Sequence, residues 1–256
     1  MSTPDRRIWL FLLLLFAPLV EPAPAFGAPA PSLGPIAGTY YQGDGWIFRR
    51  FLEIRPDGTF EYEMAGDVRL LQAEARGTAS VADGALILAP KTEKGKGEPV
   101  PRRLAIVRWG PRVYLMQDSE IPDFANMVNQ GFEPRSDARG LPAYLRDGDW
   151  DKPVTGLPDL PAQHRSWLLA RPIEGKVRRN LGKPLAFEID LGSREGLKTG
   201  MKLTAVAEEL ETVDCTLTVV STAETSSVVE GEKDCRGLPP GARVCSKVLV
   251  CHGLDD

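Results

Sequence analysis

The chain has 256 residues, of which 43% are hydrophobic and 26% charged, with a formal net charge of −4. At ~100–200 residues per domain, that allows one large or two small hydrophobic cores. A mildly acidic balance with no long basic run argues against nucleic acid or an anionic membrane surface as partner.

Arg6 and Arg7 precede an apolar run from Ile8 to Val20, followed by an Ala/Pro-rich stretch. This is the order of a secretory signal peptide, predicted over residues 1–27, with small residues before cleavage after Ala25 or Gly27. The run is short of the ~20 residues that span a bilayer. No cysteine follows it to carry a lipid, and the leucines Leu12 to Leu15 fit the general export route better than a twin-arginine one. The expectation is an exported protein, periplasmic or extracellular, with no membrane span after cleavage. Residues 28–35 then read as an extended, flexible linker.

From Ile36 the chain becomes short strands joined by turn signals, forming a first domain over 36–150. Trp46, Phe48, Leu52 and Ile54 alternate with polar residues, Pro56-Asp57-Gly58 supplies a turn, and Phe60, Tyr62 and Met64 resume the apolar face. Further hairpins are predicted around Asp83-Gly84 and Gly110-Pro111. Tyr40, Tyr41 and Trp46 flank the glycine-rich stretch 42–45, a candidate binding loop if the aromatics face outward and a simple turn if they pack inward. Lys91, Lys94 and Lys96 are interrupted by Glu93, Glu98 and glycines and read as a solvated loop. A helix is predicted over 121–130, with Ile121, Phe124, Met127 and Val128 on one face and Gly131 as its stop. Trp150 is expected to pack between the two domains.

Gly38-Thr39-Tyr40-Tyr41, the LEIRPDGTFEYE hairpin and the GTASVADGALIL segment resemble small lipocalin-like β-barrels. That resemblance implies a Gly-x-Trp signature, here with Tyr40 in place of Trp, and a partner arginine near the barrel end that the sequence does not assign. Ligand binding does not follow from these motifs.

A linker over 151–172 carries a second predicted helix from Leu160 to Ala170, with Asp159 as N-cap and Pro172 as stop. A second β-domain is predicted over 173–251, ahead of a tail at 252–256. Leu185, Phe187, Ile189 and Leu191 alternate with Ala186, Glu188 and Asp190 as a half-buried strand. The stretch Asp190-Leu191-Gly192 through Gly196-Leu197 to Gly200-Met201 resembles a loop of small β-barrel modules in bacterial envelope proteins, of the flagellar-assembly and rod-shape-determining type. In those modules the loop is structural. Its glycines allow backbone angles that other residues resist, and Leu197 is placed to plug the barrel end.

All four cysteines, Cys215, Cys235, Cys245 and Cys251, lie in this domain. Their spacings lack the close pair of a zinc site, and an even count in an exported chain points to disulfides. A hairpin centred near 224–225 brings Cys215 almost opposite Cys235, within the ~4.5–5.5 Å at which facing Cβ atoms stand. Cys245 and Cys251 fall on what reads as one final strand, Val244 to Val250. There they would be ~20 Å apart, so they pair only if the tail folds back.

No nucleophile elbow, phosphate-cradling loop or paired metal-binding histidine motif is present. His164 is expected as a packed histidine on the apolar face of the second helix, and Glu61 and Glu63 alternate with core residues and face solvent. No catalytic, cofactor-binding or metal-binding residue is expected. The fold class is mainly β: two small antiparallel β-barrel or sandwich domains with two short helices. The function read from this is a non-enzymatic bacterial envelope module for binding or scaffolding, its partner an envelope protein or cell-wall component. A lipocalin-like carrier of a small apolar ligand is the alternative, and a hydrolase with an acidic site the third.

Overall fold

The computed structural model describes residues 33–43, 48–66, 72–96, 98–135, 142–182, 185–206 and 215–253. The predicted signal peptide and Trp46 lie outside them. Eight strands, β1 (Gly38–Gly43), β2 (Phe48–Ile54), β3 (Thr59–Gly66), β4 (Gln72–Ala82), β5 (Ala85–Lys96), β6 (Arg103–Trp109), β7 (Arg112–Met116) and β8 (Tyr144–Arg146), form a closed antiparallel barrel in chain order. β1 closes on β8 through Tyr40 opposite Arg146 and Tyr41 opposite Leu145.

Turn chemistry sets the hairpins. The Asp57 carboxylate accepts from the Thr59 N–H (2.9 Å) and hydroxyl (2.7 Å), and Gly58 takes φ +83°. Asp83 and Gly84 both have positive φ, as a two-residue hairpin loop with the sheet's twist requires.

Strands β6 and β7 read as almost continuous apolar runs because both their faces are covered. Leu104, Val113 and Leu115 point into the barrel. Val107, Trp109, Tyr114 and Met116 point outward against Phe124 and Val128 of helix α1 (Ile121–Asn129). The helix stops as expected. Gly131 takes φ +85°, and the Gly131 and Phe132 N–H groups bond back to the Val128 and Met127 carbonyls.

The second barrel has six strands in the order β10-β13-β12-β11-β14-β9. These are β9 (Glu174–Asn180), β10 (Ala186–Ile189), β11 (Lys202–Val206), β12 (Cys215–Thr222), β13 (Ser227–Gly231) and β14 (Arg243–Cys245). Leu197 is buried in its core with Phe187, Ile189, Met201 and Leu217. The loop before it is clasped by the β12–β13 turn: Ser193 and Arg194 N–H groups donate to the Ala223 (2.8 Å) and Glu224 (3.0 Å) carbonyls. A Cβ on Gly192 would lie 2.5 Å from both those oxygens. Both barrels belong to one compact unit, Pro31–Asp256.

Several expectations are corrected. At the end of the stretch read as a flexible linker Leu33 is buried, and a 3-10 turn, Gly34–Ile36, joins it to buried Ile36 in the core of the first barrel. The lysine-rich segment continues β5 as an exposed strand, because it pairs with β4 from Thr92 opposite Arg76 to Lys96 opposite Gln72. The second helix is only a 3-10 segment, Ala162–Trp167. Asp159 does not cap it: Pro161 holds the cap position, and the Asp159 carboxylate accepts from Arg165 (3.1 Å). The Leu169 N–H, which an α-helix running to Ala170 would donate to the Arg165 carbonyl, donates instead to the Asn129 side chain.

His164, on this segment, has a side chain 17% exposed, with its Nε2 3.9 Å from the Asp118 carboxylate. Trp150 is 48% exposed; the tryptophan between the barrels is Trp167, which packs against both hydrophobic clusters and over Gly200. The final strand ends at Cys245. The chain then turns into helix α2 (Val248–Cys251), which is the fold-back that a second disulfide requires.

Candidate functional site

At one end of the first barrel the Tyr40 hydroxyl donates to the Ile36 carbonyl (2.7 Å). Tyr40 lies opposite Arg146, whose stem packs against Gly38, where a Cβ would sit 3.3 Å from the Arg146 Cδ. The Arg146 guanidinium also reaches the Pro35 and Pro111 carbonyls and both oxygens of fully buried Asp149. Asp149 accepts further from the Val113 N–H (2.9 Å) and Lys152 (2.6 Å). Burial raises the Asp149 pKa, but these bonds outweigh it and the carboxyl is held below its usual range. This cluster ties the first strand, the last strand and the β6–β7 turn together. Its role is closure.

Toward the other end, by register, the inward side chains become polar. The Arg50 guanidinium donates to Gln42 (2.9 Å) and pairs with Glu98, while Tyr62 and Tyr144 lie side by side, their hydroxyl pKa values raised by burial. Glu120 accepts from the Gln117 N–H (2.7 Å) and bonds Gln42, and its pKa is raised by burial. A ligand-sized chamber would leave accessible area on the side chains facing it. Leu52, Tyr62, Met64, Leu88 and Tyr144 are each no more than 3% exposed, so side chains fill this part of the interior.

Of the three aromatics of the candidate loop, Trp46 lies outside the described residues, and Tyr40 and Tyr41 face opposite sides of the barrel wall. Tyr40 is buried in the closure cluster, and Tyr41 stacks edge-on against Phe51 on the outer wall (5.3 Å). Glu61 and Glu63 face outward and pair with Arg55, Arg76 and Arg49. Among the described residues no group of His, Cys, Asp and Glu could hold a metal ion, and no helix is long and apolar enough to cross a membrane.

Cys215 bonds Cys235 (Cα–Cα 5.1 Å) and Cys245 bonds Cys251 (5.6 Å). Cys235 reaches its partner from a 3-10 turn, Lys233–Cys235, just past the end of β13 rather than from the facing strand.

Sequence reasoning missed the surface that stands out most. A groove of about 490 Å³ runs between the barrels, with Trp109, Val128 and Leu169 among its lining residues. Phe132, Leu157 and Leu249 also line it and remain 50%, 49% and 43% exposed. They are three of the six exposed large hydrophobic residues among those described. These side chains come from three distant parts of the sequence, so no local motif announces them. The α2 wall is held by the Val248 N–H donating to the Gln130 carbonyl (3.3 Å), with the Lys247 stem lying over Gly131.

No family model matches the chain, and neither a curated protein nor a solved structure matches it.

Proposed function

We propose that this chain is an exported, non-enzymatic envelope protein that acts as a binding or scaffolding module and engages its partner at the groove between its two barrels. The observation that carries the reading is the concentration of Phe132, Leu157 and Leu249 on one groove. An exposed apolar cluster with a polar rim is the mark of an interaction site. The two disulfides and the signal-like N-terminus support export. The eight-stranded meander, with Gly38, Tyr40 and Arg146 at its closure, supports the lipocalin-like resemblance of the first domain. The filled interior favours scaffolding over carriage of an apolar ligand.

A photo-crosslinking residue at Leu157, introduced into the chain in its native envelope, tests this. A discrete crosslinked partner, absent when the residue is moved to the exposed β5 segment, is the expected result. Saturable uptake of apolar fluorescent probes with no groove-dependent crosslink would transfer the function to the barrel interior.

A further inference from the structure

Strand β5 outruns its neighbour on one side, and from this we infer a docking surface apart from the groove. The free edge of β5 over 92–96 accepts an extended segment of another protein, paired backbone to backbone and carrying an acidic side chain at every second position. β5 pairs with β4 as far as Lys96 opposite Gln72, but with β6 only from Ala85 opposite Ala105 to Ile87 opposite Arg103. The last backbone bond on that side runs from the Leu88 N–H to the Arg102 carbonyl (2.9 Å). Among the described residues, no backbone hydrogen bond joins 89–96 to any segment but β4. In an antiparallel ladder alternate residues turn their N–H and C=O away from the paired strand, so 92–96 presents a row of these groups at the edge.

The return segment does not cover that edge. Glu93 stands opposite Ala75, which is buried in the barrel core, so the Glu93 side chain points to the inner face of the sheet. There it accepts from the Val100 N–H (3.0 Å) and from Arg102 (2.6 Å), while Glu98 reaches Arg50 on β2. Residues 98–102 therefore cross on the inner side of the strand and leave its edge open.

Charge selects the occupant. Lys91, Lys94 and Lys96 are exposed, and among the described residues none of them makes an ion pair. The acidic groups nearest in sequence, Glu93 and Glu98, are engaged by Arg102 and Arg50. Glu74 lies across from Lys94 on the β4 side, so a strand arriving at the edge meets the lysines first. Two copies of this edge would set lysine against lysine, which disfavours self-pairing, whereas acidic side chains on an incoming strand are attracted. None of the residues lining the groove lies on β5, so failure here leaves the groove reading as it stands.

The test uses the purified protein and three short fluorescent peptides. One alternates Thr and Asp, one alternates Thr and Lys, and the third is the Thr/Asp sequence with every peptide nitrogen methylated, which keeps the charge and removes the donors. Anisotropy titration should show saturable binding of the first peptide alone, weakened by salt. Amide hydrogen exchange over 89–96 should slow in the complex. Lys91→Glu and Lys96→Glu, both at exposed positions, should each lower affinity about threefold, and together they should turn the preference toward the Thr/Lys peptide. Unchanged melting temperatures in these variants separate lost binding from lost structure. Equal binding of the methylated peptide overturns the inference, because it reduces the edge to a charged patch for any polyanion. No binding of the Thr/Asp peptide, equal binding of the Thr/Lys peptide, or unchanged exchange over 89–96 also overturns it. A dimer broken by Lys96→Glu, seen in sedimentation equilibrium, does the same by making a second copy the occupant.

Discussion

Asn126 and Asn129, one turn apart on α1, each bond the backbone beyond the first barrel with both ends of the amide. Asn126 donates to the Gly200 carbonyl (3.1 Å) and accepts from the Lys202 N–H (3.0 Å). Asn129 donates to the Trp167 carbonyl (2.8 Å) and accepts from the Leu169 N–H (2.9 Å). An amide matches a peptide group donor for acceptor, so the pair extends the backbone hydrogen bonding of the second barrel and its approach segment onto the helix. Gly200 contributes in two ways: its φ of +89° turns the loop there, and the missing Cβ admits the Trp167 ring.

Asn126→Ala should cost about 2 kcal/mol, because it strands a donor and an acceptor at a buried contact. Asn126→Asp should cost more, since a carboxylate would face the Gly200 carbonyl oxygen with no proton to donate. Urea unfolding of the three proteins orders them, and a split into two transitions would show the barrels uncoupling.

Asp149→Asn should destabilise the first barrel by about 3 kcal/mol at neutral pH, since it leaves Arg146 and Lys152 around an uncharged amide. The folded pKa of Asp149 lies below its unfolded value. Its stabilisation is therefore fully present above the unfolded Asp pKa of ~3.9 and lost as pH falls through the folded one. The gap between wild type and variant, measured by denaturant titration against pH, should close on the acid side.

Glu120 has the opposite sign. Its folded pKa is raised by burial, so ionisation opposes folding above that pKa and the penalty is relieved as pH falls. Glu120→Gln keeps an acceptor for the Gln117 N–H and should stabilise by less than about 1 kcal/mol at pH 7. The same pH series should show this gain vanishing in acid.

Replacing Cys245 and Cys251 with serine should cost about 2 kcal/mol and free α2. Because Leu249 and Lys247 form the second-barrel wall of the groove, partner crosslinking at Leu157 should fall. The Cys215–Cys235 pair should remain intact on non-reducing peptide maps. Crosslinking unchanged by the double substitution would detach α2 from the site.

Gly192→Ala should cost about 3 kcal/mol. The new methyl group would meet the backbone oxygens of Ala223 and Glu224, which cannot rotate away. At Gly237, where a Cβ would find open space, the same substitution should cost much less despite its φ of +82°. Thermal denaturation of the two variants makes the comparison.

Much of what depends on neighbours in the chain was legible in the sequence. Period-two alternation placed Leu52, Ile54, Phe60, Tyr62 and Met64 on one face. Turn residues located three of the hairpins of the first barrel, and Gly131 ended α1. The β12–β13 turn was legible too, because residues that face each other across a tight hairpin have positions that sum to a nearly constant value.

What tertiary structure alone decided involves groups far apart in sequence. Arg146 emerged as the partner of Gly38 and Tyr40 only when β8 closed on β1. The inter-barrel tryptophan proved to be Trp167 rather than Trp150, because the Ala162–Trp167 segment, and not the turn that carries Trp150, lies against both hydrophobic clusters. Cys245 meets Cys251 because the last strand stops early. Phe132, Leu157 and Leu249 share a groove because the turn after α1, the connecting segment and α2 all line it. Local sequence carries steric and hydrogen-bonding preferences over a few residues; which distant surfaces then cover one another is settled by packing of the whole chain.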